Sequence, residues 1–135
     1  MSYETTAATM REYLDALLAR GDFAAHLADD AVFEIMGTPQ KVRGRDAVRD
    51  TIMWLHTVAF DARPKVRAVV AGDGQAALEA EFVGTHIGEF LGMAPTGRPV
   101  DVPYCMMYDL HDDKITALRA YMPMDLLTEQ VKGTG

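Results

Sequence analysis

The sequence has a single cysteine, Cys105, so no internal disulfide can form, and a reducing, cytoplasmic setting is expected. Positive charge is also scarce. Thirteen Lys and Arg stand against twenty Asp and Glu, a net charge of −7, which argues against nucleic acid or an anionic membrane as partner. There are only six prolines, and with 49% hydrophobic and 24% charged residues the composition excludes a disordered chain. No apolar run nears the ~20 residues of a membrane span. The start, Met1 to Thr6, lacks a basic stretch followed by an apolar one, so no signal peptide is expected. Internal repeats and low-complexity tracts are missing too.

What remains fits one domain, residues 1–135. Size scaling predicts roughly 7,000 Å² of folded surface against about 21,500 Å² for the extended chain, enough burial for a core and one modest pocket. The nine methionines can fill gaps in a core or line an adaptable apolar pocket, core filling being the simpler use.

Thr5 to Arg20 carries Ala7, Met10, Leu14, Leu17 and Leu18 at helical spacing, and Gly21 is expected to end that helix. Asp22 is placed to cap a short helix, Phe23 to Leu27. Ala31–Met36 predicts a strand. Gly44-Arg45-Asp46 opens a third helix with Val48, Ile52 and Leu55 as its apolar stripe. Four strands follow: Lys65–Ala71, Gln75–His86, Pro99–His111 and Lys114–Tyr121. Asp73-Gly74 and Asp112-Asp113 mark turns, and Gly88–Arg98 is a loop. Pro123 precedes a closing helix, Met124–Val131. Helices first and then a run of antiparallel strands predict an α+β fold, with helices on one face of a curved sheet.

Strand alternation selects the inward side chains. Phe33 and Ile35 point inward from the first strand, with Glu34 outward. Leu78, Ala80, Phe82 and His86 share one face of Gln75–His86, with Glu79 and Glu81 opposite. Val102, Tyr104, Met106 and Tyr108 share the apolar face of Pro99–His111, with Asp101, Cys105 and Asp109 opposite. In the last strand Leu118, Ala120 and Met122 go inside, because an unpaired Arg119 does not belong in a core.

Candidate chemistry is sparse. His26, His56, His86 and His111 do not pair at metal-ligand spacing; His86 and Glu89 offer two ligands without a third, and no metal is expected. No phosphate-cradling loop or other cofactor motif is present, so no cofactor is expected. His86, on an apolar face, can serve as general acid or base, or more plainly as a hydrogen-bonded core histidine at the Gly84–Gly88 bend. Tyr104 and Tyr108 bring phenols to the same side, and Tyr13 can aim a third from the first helix; a phenol can donate to a developing oxyanion or simply fill the core. Trp54 is read as packing between the third helix and the sheet, and Asp125 as a helix cap.

These segments resemble a family. Tyr13-Leu-Asp-Ala-Leu17 ahead of Gly21-Asp22, and Gly44-Arg-Asp-Ala-Val48 with Thr51-Ile-Met, resemble the nuclear transport factor-like superfamily. That superfamily includes ketosteroid isomerases, limonene epoxide hydrolases and SnoaL-like polyketide cyclases. Gly84–Arg98, Asp113-Lys-Ile115, Arg119-Ala-Tyr121 and Leu126-Leu-Thr-Glu-Gln130 resemble the SnoaL-like branch. The resemblance spans nearly the whole chain. It implies a cone-shaped α+β fold, a curved antiparallel sheet wrapped around a pocket closed by the N-terminal helices, and a homodimer. By the same resemblance, the aspartate that follows the last-strand arginine in cyclases and epoxide hydrolases falls on Ala120. The histidine of the cyclases, or the protonated aspartate of the isomerases, falls on Met106, and a cyclase glutamine on Tyr104. The isomerase's proton-shuttling aspartate falls on Ile35, and the hydrolase's water-holding Tyr and Asn on Phe33 and Ile35.

The expected pocket is therefore apolar and lacks the family's usual aspartate base. Its wall is Phe33, Ile35, Trp54, Leu55, Phe82, Val102, Met106, Leu118, Ala120 and Met122, with Tyr13, Tyr104, Tyr108 and His86 as polar points. Such a pocket suits a polyketide-, terpenoid- or steroid-like ligand. The leading expectation is an enzyme that cyclises or isomerises it, with Tyr104 polarising an oxygen and His86 moving a proton. A non-catalytic binder is the alternative, and a cone filled by its own side chains is a third.

Overall fold

The computed structural model describes residues 1–133; the last two residues of the expected domain lie outside them. Helix α1, Tyr3–Leu18, is capped by Ser2, whose side chain accepts the Thr5 N–H. A 3₁₀ turn, Phe23–His26, leads into β1, Leu27–Ile35, and then β2, Lys41–Arg43. Helix α2, Arg45–Trp54, runs directly into a π-helical turn, Leu55–Ala59. Four long strands follow: β3, Phe60–Ala71; β4, Gln75–His86; β5, Pro99–His111; and β6, Lys114–Tyr121. Helix α3, Met124–Lys132, closes the fold.

The strands form one six-stranded sheet in the order β2-β1-β6-β5-β4-β3. Every neighbouring pair is antiparallel except β1–β6, which is parallel, with Phe33 beside Leu118 and Ile35 beside Ala120. The fold is the expected α+β cone, with a mixed sheet in place of a wholly antiparallel one. Hairpins leave local signatures, and here Asp112 (φ 49°) and Asp113 (φ 62°) make a two-residue turn with both residues left-handed. A pairing between the two ends of the chain leaves none. β2 was not expected, and β1 and β3 each begin several residues before the predicted strands.

Alternation holds through β4 and β5. Ala76, Leu78, Ala80 and Phe82 are buried, as are Val100, Val102, Met106, Tyr108 and Leu110. Arg119 points outward and is held by Asp109 at 2.8 and 3.1 Å. The core has two parts. One lies under α1 and α2; the other gathers Phe60, Phe82, Phe90, Val102 and Leu127 beneath α3, and Tyr104 packs against both. Two local corrections follow from hydrogen bonding. Asp22 makes no side-chain cap bond, and α3 takes Pro123 rather than Asp125 as its cap position.

Leu118 is fully buried between β1 and β5, where little space exists for collapse. Leu118→Ala is expected to cost about 2–5 kcal/mol, measured as a lower midpoint of urea unfolding with an unchanged slope.

Candidate active site

The concave face of the sheet and the two long helices enclose a narrow chamber with a water-accessible volume of about 50 Å³. Tyr13 and Leu17 reach it from α1, Phe33 from β1 and Ile52 from α2. Leu55 and His56 reach it from the π turn, and Leu78 and Phe82 from β4. Tyr104, Met106 and Tyr108 line it from β5, with Ala120 and Met122 closing it. Among the described residues, no carboxylate lines it.

A larger vestibule of about 450 Å³ lies beside the chamber. Ile35, Val42, Trp54, Phe90, Leu91, Met124 and Leu127 line it, with Thr38, Gln40 and Thr51 among its polar groups. Phe33, Leu55 and Met122 line both spaces and so stand at the constriction between them.

Nine of the expected site residues thus meet at the chamber: Tyr13, Phe33, Leu55, Phe82, Tyr104, Met106, Tyr108, Ala120 and Met122. Ile35 and Trp54 line the vestibule instead. Trp54 is 40% exposed and stacks on Phe90 at 6.1 Å, so it packs on the loop after β4, not between helix and sheet. Val102 and Leu118 are buried in the core and line neither space.

The expectation that His86 faces the chamber is corrected. Phe60 packs against both Phe82 (5.2 Å) and His86 (5.3 Å), and so separates the His86 ring from the chamber wall. His86 is fully buried, and its Nδ1 accepts the Thr96 backbone N–H at 3.2 Å, with Thr96 Oγ1 at 3.1 Å. Its backbone N–H donates to Arg98, and its carbonyl accepts from Gly97. These bonds knot the loop that carries Phe90 and Leu91 to the vestibule.

The imidazole that reaches the chamber is His56, which sequence reasoning missed. Its Nδ1 lies 2.8 Å from the Ile52 carbonyl. A carbonyl can only accept, so Nδ1 carries the proton and Nε2 keeps a lone pair. Burial lowers the His56 pKa below its ordinary value; the Ile52 bond opposes this and the Arg20 charge adds to it. The ring packs edge-on against Phe82 at 5.6 Å. A local signal existed: His56 follows Ile52 by four residues, on the apolar stripe of α2. The π turn then adds a residue to the helical repeat and carries that stripe onward into the chamber. Gly88 keeps the turn in place. Its N–H and that of Ile87 donate to Ala59, and any Cβ at 88 would collide with the Val58 carbonyl.

Three phenols face the same space. The Tyr13 and Tyr108 rings meet edge-on at 5.9 Å, and Tyr13 meets Phe23 at 6.0 Å. Burial pushes Tyr13, Tyr104 and Tyr108 above the ordinary phenol range; Tyr104 adds to the shift of Tyr13, and both add to that of Tyr108. Each stays protonated and able to donate. None of the three hydroxyls has a hydrogen-bond partner among the described residues. The site is therefore charge-free, with one neutral base and three unpartnered donors.

A model of the SnoaL-like polyketide cyclase family matches residues 8–128, and the chain belongs to that family. Its structure resembles a proposed SnoaL-like polyketide cyclase from Jannaschia sp. CCS1, at 18% identity and TM-score 0.86, over 98% of this chain and 95% of that one. It also resembles a proposed ketosteroid isomerase from Kribbella flavida (20%, TM-score 0.70, 90% and 79% covered). A further likeness is to an epoxide hydrolase of the limonene type from M. tuberculosis (17%, TM-score 0.75, 96% and 91%). At these identities the likenesses show the fold alone. No curated protein matches the sequence.

Because the folded His56 pKa lies below its unfolded value of ~6.5, the unfolded chain takes up the proton first as pH falls. The stability that neutral His56 contributes is complete above that value and declines as pH drops through the folded pKa. His56→Gln is expected to lose less stability than the wild type between about pH 7.5 and pH 5, read from urea midpoints.

Proposed function

We propose that the chain is a SnoaL-like enzyme that removes a proton beside a carbonyl of an apolar, polyketide-like small molecule and so cyclises or isomerises it. The observation that carries this reading is the pairing of a lone-pair-bearing His56 Nε2 with three unpartnered phenols in one charge-free chamber.

The base and the donors play complementary roles. His56 Nε2 takes the proton, and the C–H bonding electrons move into an enolate whose oxygen accepts hydrogen bonds from the phenols. In a ring closure, the enolate carbon attacks a second carbonyl of the same molecule, and the alkoxide formed is protonated by the imidazolium. In an isomerisation, the imidazolium returns its proton to a different carbon. A positioned base contributes on the order of 10²–10⁴ in rate, and an oxyanion donor on the order of 10²–10³. Tyr104 retains the polarising role expected of it, whereas proton transfer passes from His86 to His56.

The constriction suits a ligand whose carbonyl end enters the chamber while its apolar body rests in the vestibule. The two spaces together fall within the usual range of small-molecule sites. The absence of a lining carboxylate favours the alternative of a non-catalytic binder. The chain is proposed to work as a homodimer, a reading supported by exposed Val66, Val69, Val70 and Val83 on β3 and β4. Cytoplasmic placement is proposed from the lone Cys105; no described helix is long and apolar enough to cross a membrane.

Exchange of α-protons for deuterium in flat, apolar ketones tests the reading, with 2-naphthol as a mimic of the enolate. His56→Gln is expected to slow exchange at least ~100-fold, and Tyr104→Phe at least ~10-fold. Tight 2-naphthol binding with no exchange above the solvent rate would instead establish the binder.

A further inference from the structure

Helix α1 ends in a Schellman motif. The Gly21 N–H bonds to the Ala16 carbonyl at 2.8 Å and the Arg20 N–H to that of Leu17 at 3.0 Å. This motif needs one left-handed residue, and glycine is its ordinary occupant. Here that residue is Arg20, at φ 54°, although a glycine stands next to it. A side chain in this conformation costs about 1 kcal/mol or more, so something must hold it there.

The side chain supplies the hold. Arg20 Nη2 donates to the His56 carbonyl (3.3 Å), the Ala62 carbonyl (3.2 Å) and Asp61 Oδ1 (2.8 Å). Its Nε is buried without a partner among the described residues. One guanidinium thus joins the end of α1, the π turn and β3 at the residue proposed as the base.

We propose that Arg20 is a positioning residue for His56: its guanidinium clamps the His56 backbone to β3 and sets a fixed positive charge beside the imidazole, keeping that ring uncharged and ready to accept a proton. This rests on the reading of His56 as the base. The other ionisable groups around His56 are Tyr13 of α1 and Tyr104 and Tyr108 of β5, all uncharged, and Asp61 of β3, which partly offsets the guanidinium from an exposed position. Arg20 is the one charge felt directly by the ring, and it acts in the same direction as burial.

The test is NMR titration of the His56 imidazole, assigned with His56→Gln, in the wild type and in Arg20→Met, Arg20→Gln and Arg20→Lys. Arg20→Met is expected to move the midpoint to higher pH by about 0.5 or more. Arg20→Lys, which keeps the charge, is expected to leave it near the wild-type value. The acid limb of kcat/KM in the exchange assay should move with the midpoint. A folded Arg20→Met protein with an unmoved midpoint overturns the proposal. Should Arg20→Met fail to fold, Arg20→Gln decides: it keeps an amide donor for the same carbonyls without the charge, its midpoint is expected to rise likewise, and no movement overturns the proposal. A moved midpoint combined with normal exchange in His56→Gln would retain the coupling while refuting His56 as the base.

Discussion

The site depends on one hydrogen bond, from His56 Nδ1–H to the Ile52 carbonyl. The bond does three things together. It fixes the tautomer, because a carbonyl cannot donate. It orients the ring across one turn, so that Nε2 is the free nitrogen. It also occupies Nδ1 without adding charge, where a carboxylate partner would have drawn a proton onto the ring. A histidine held by a carbonyl in a dry chamber is a weak but available base. The same ring held by an aspartate would be a stronger base and would bring a net charge into an apolar cone, at a considerable solvation penalty.

The phenols complement that choice. A neutral base leaves a neutral resting chamber, so the groups that meet a developing oxyanion must also be neutral donors. Three phenols raised above their ordinary range meet that condition. Their hydroxyls have no protein acceptor among the described residues and open onto the chamber, whereas the fully enclosed polar atoms without a partner are Arg20 Nε and His86 Nε2. A core selected only for stability would carry Phe at these positions. Retaining three hydroxyls around one hollow is what a structure does when a bound molecule supplies the missing acceptor.

Much of the cone was legible in the sequence, because alternation along β4, β5 and β6 and the Asp112-Asp113 turn are local signals. The parallel β1–β6 pair was not, because the two strands are separated by most of the chain and share no turn. Seven of the nine chamber residues followed from strand alternation, and Tyr13 and Leu55 from the helices. Of the two readings open to His86, its burial and its Thr96 bonds fit the plainer one, a hydrogen-bonded core histidine, and His56 was passed over. His86 does lie on the predicted face of β4, but Phe60 from the neighbouring strand covers it, and cross-strand neighbours depend on register. His56 lies just past a regular helix, where the π turn alters the repeat. Its spacing from Ile52 continues the apolar stripe, but nothing in the sequence marks that the helix runs on past Trp54 into a turn that carries position 56 to the chamber.

The π turn also explains why the end of α1 matters so much to the site. Turns of this kind are rare and are found frequently at functional sites. Here the turn is braced from both sides. Gly88 and Ile87 donate to Ala59 from the loop after β4, and Arg20 grips His56 from the end of α1. The loop brace requires a residue without Cβ, and the helix brace requires a residue that tolerates a left-handed backbone for the sake of its side chain. Glycine at position 20 would satisfy the backbone and leave the turn gripped on one side only. The left-handed backbone at Arg20 is therefore accounted for by what its side chain holds: a carbonyl of the π turn and a carbonyl and carboxylate of β3, gathered onto the end of α1.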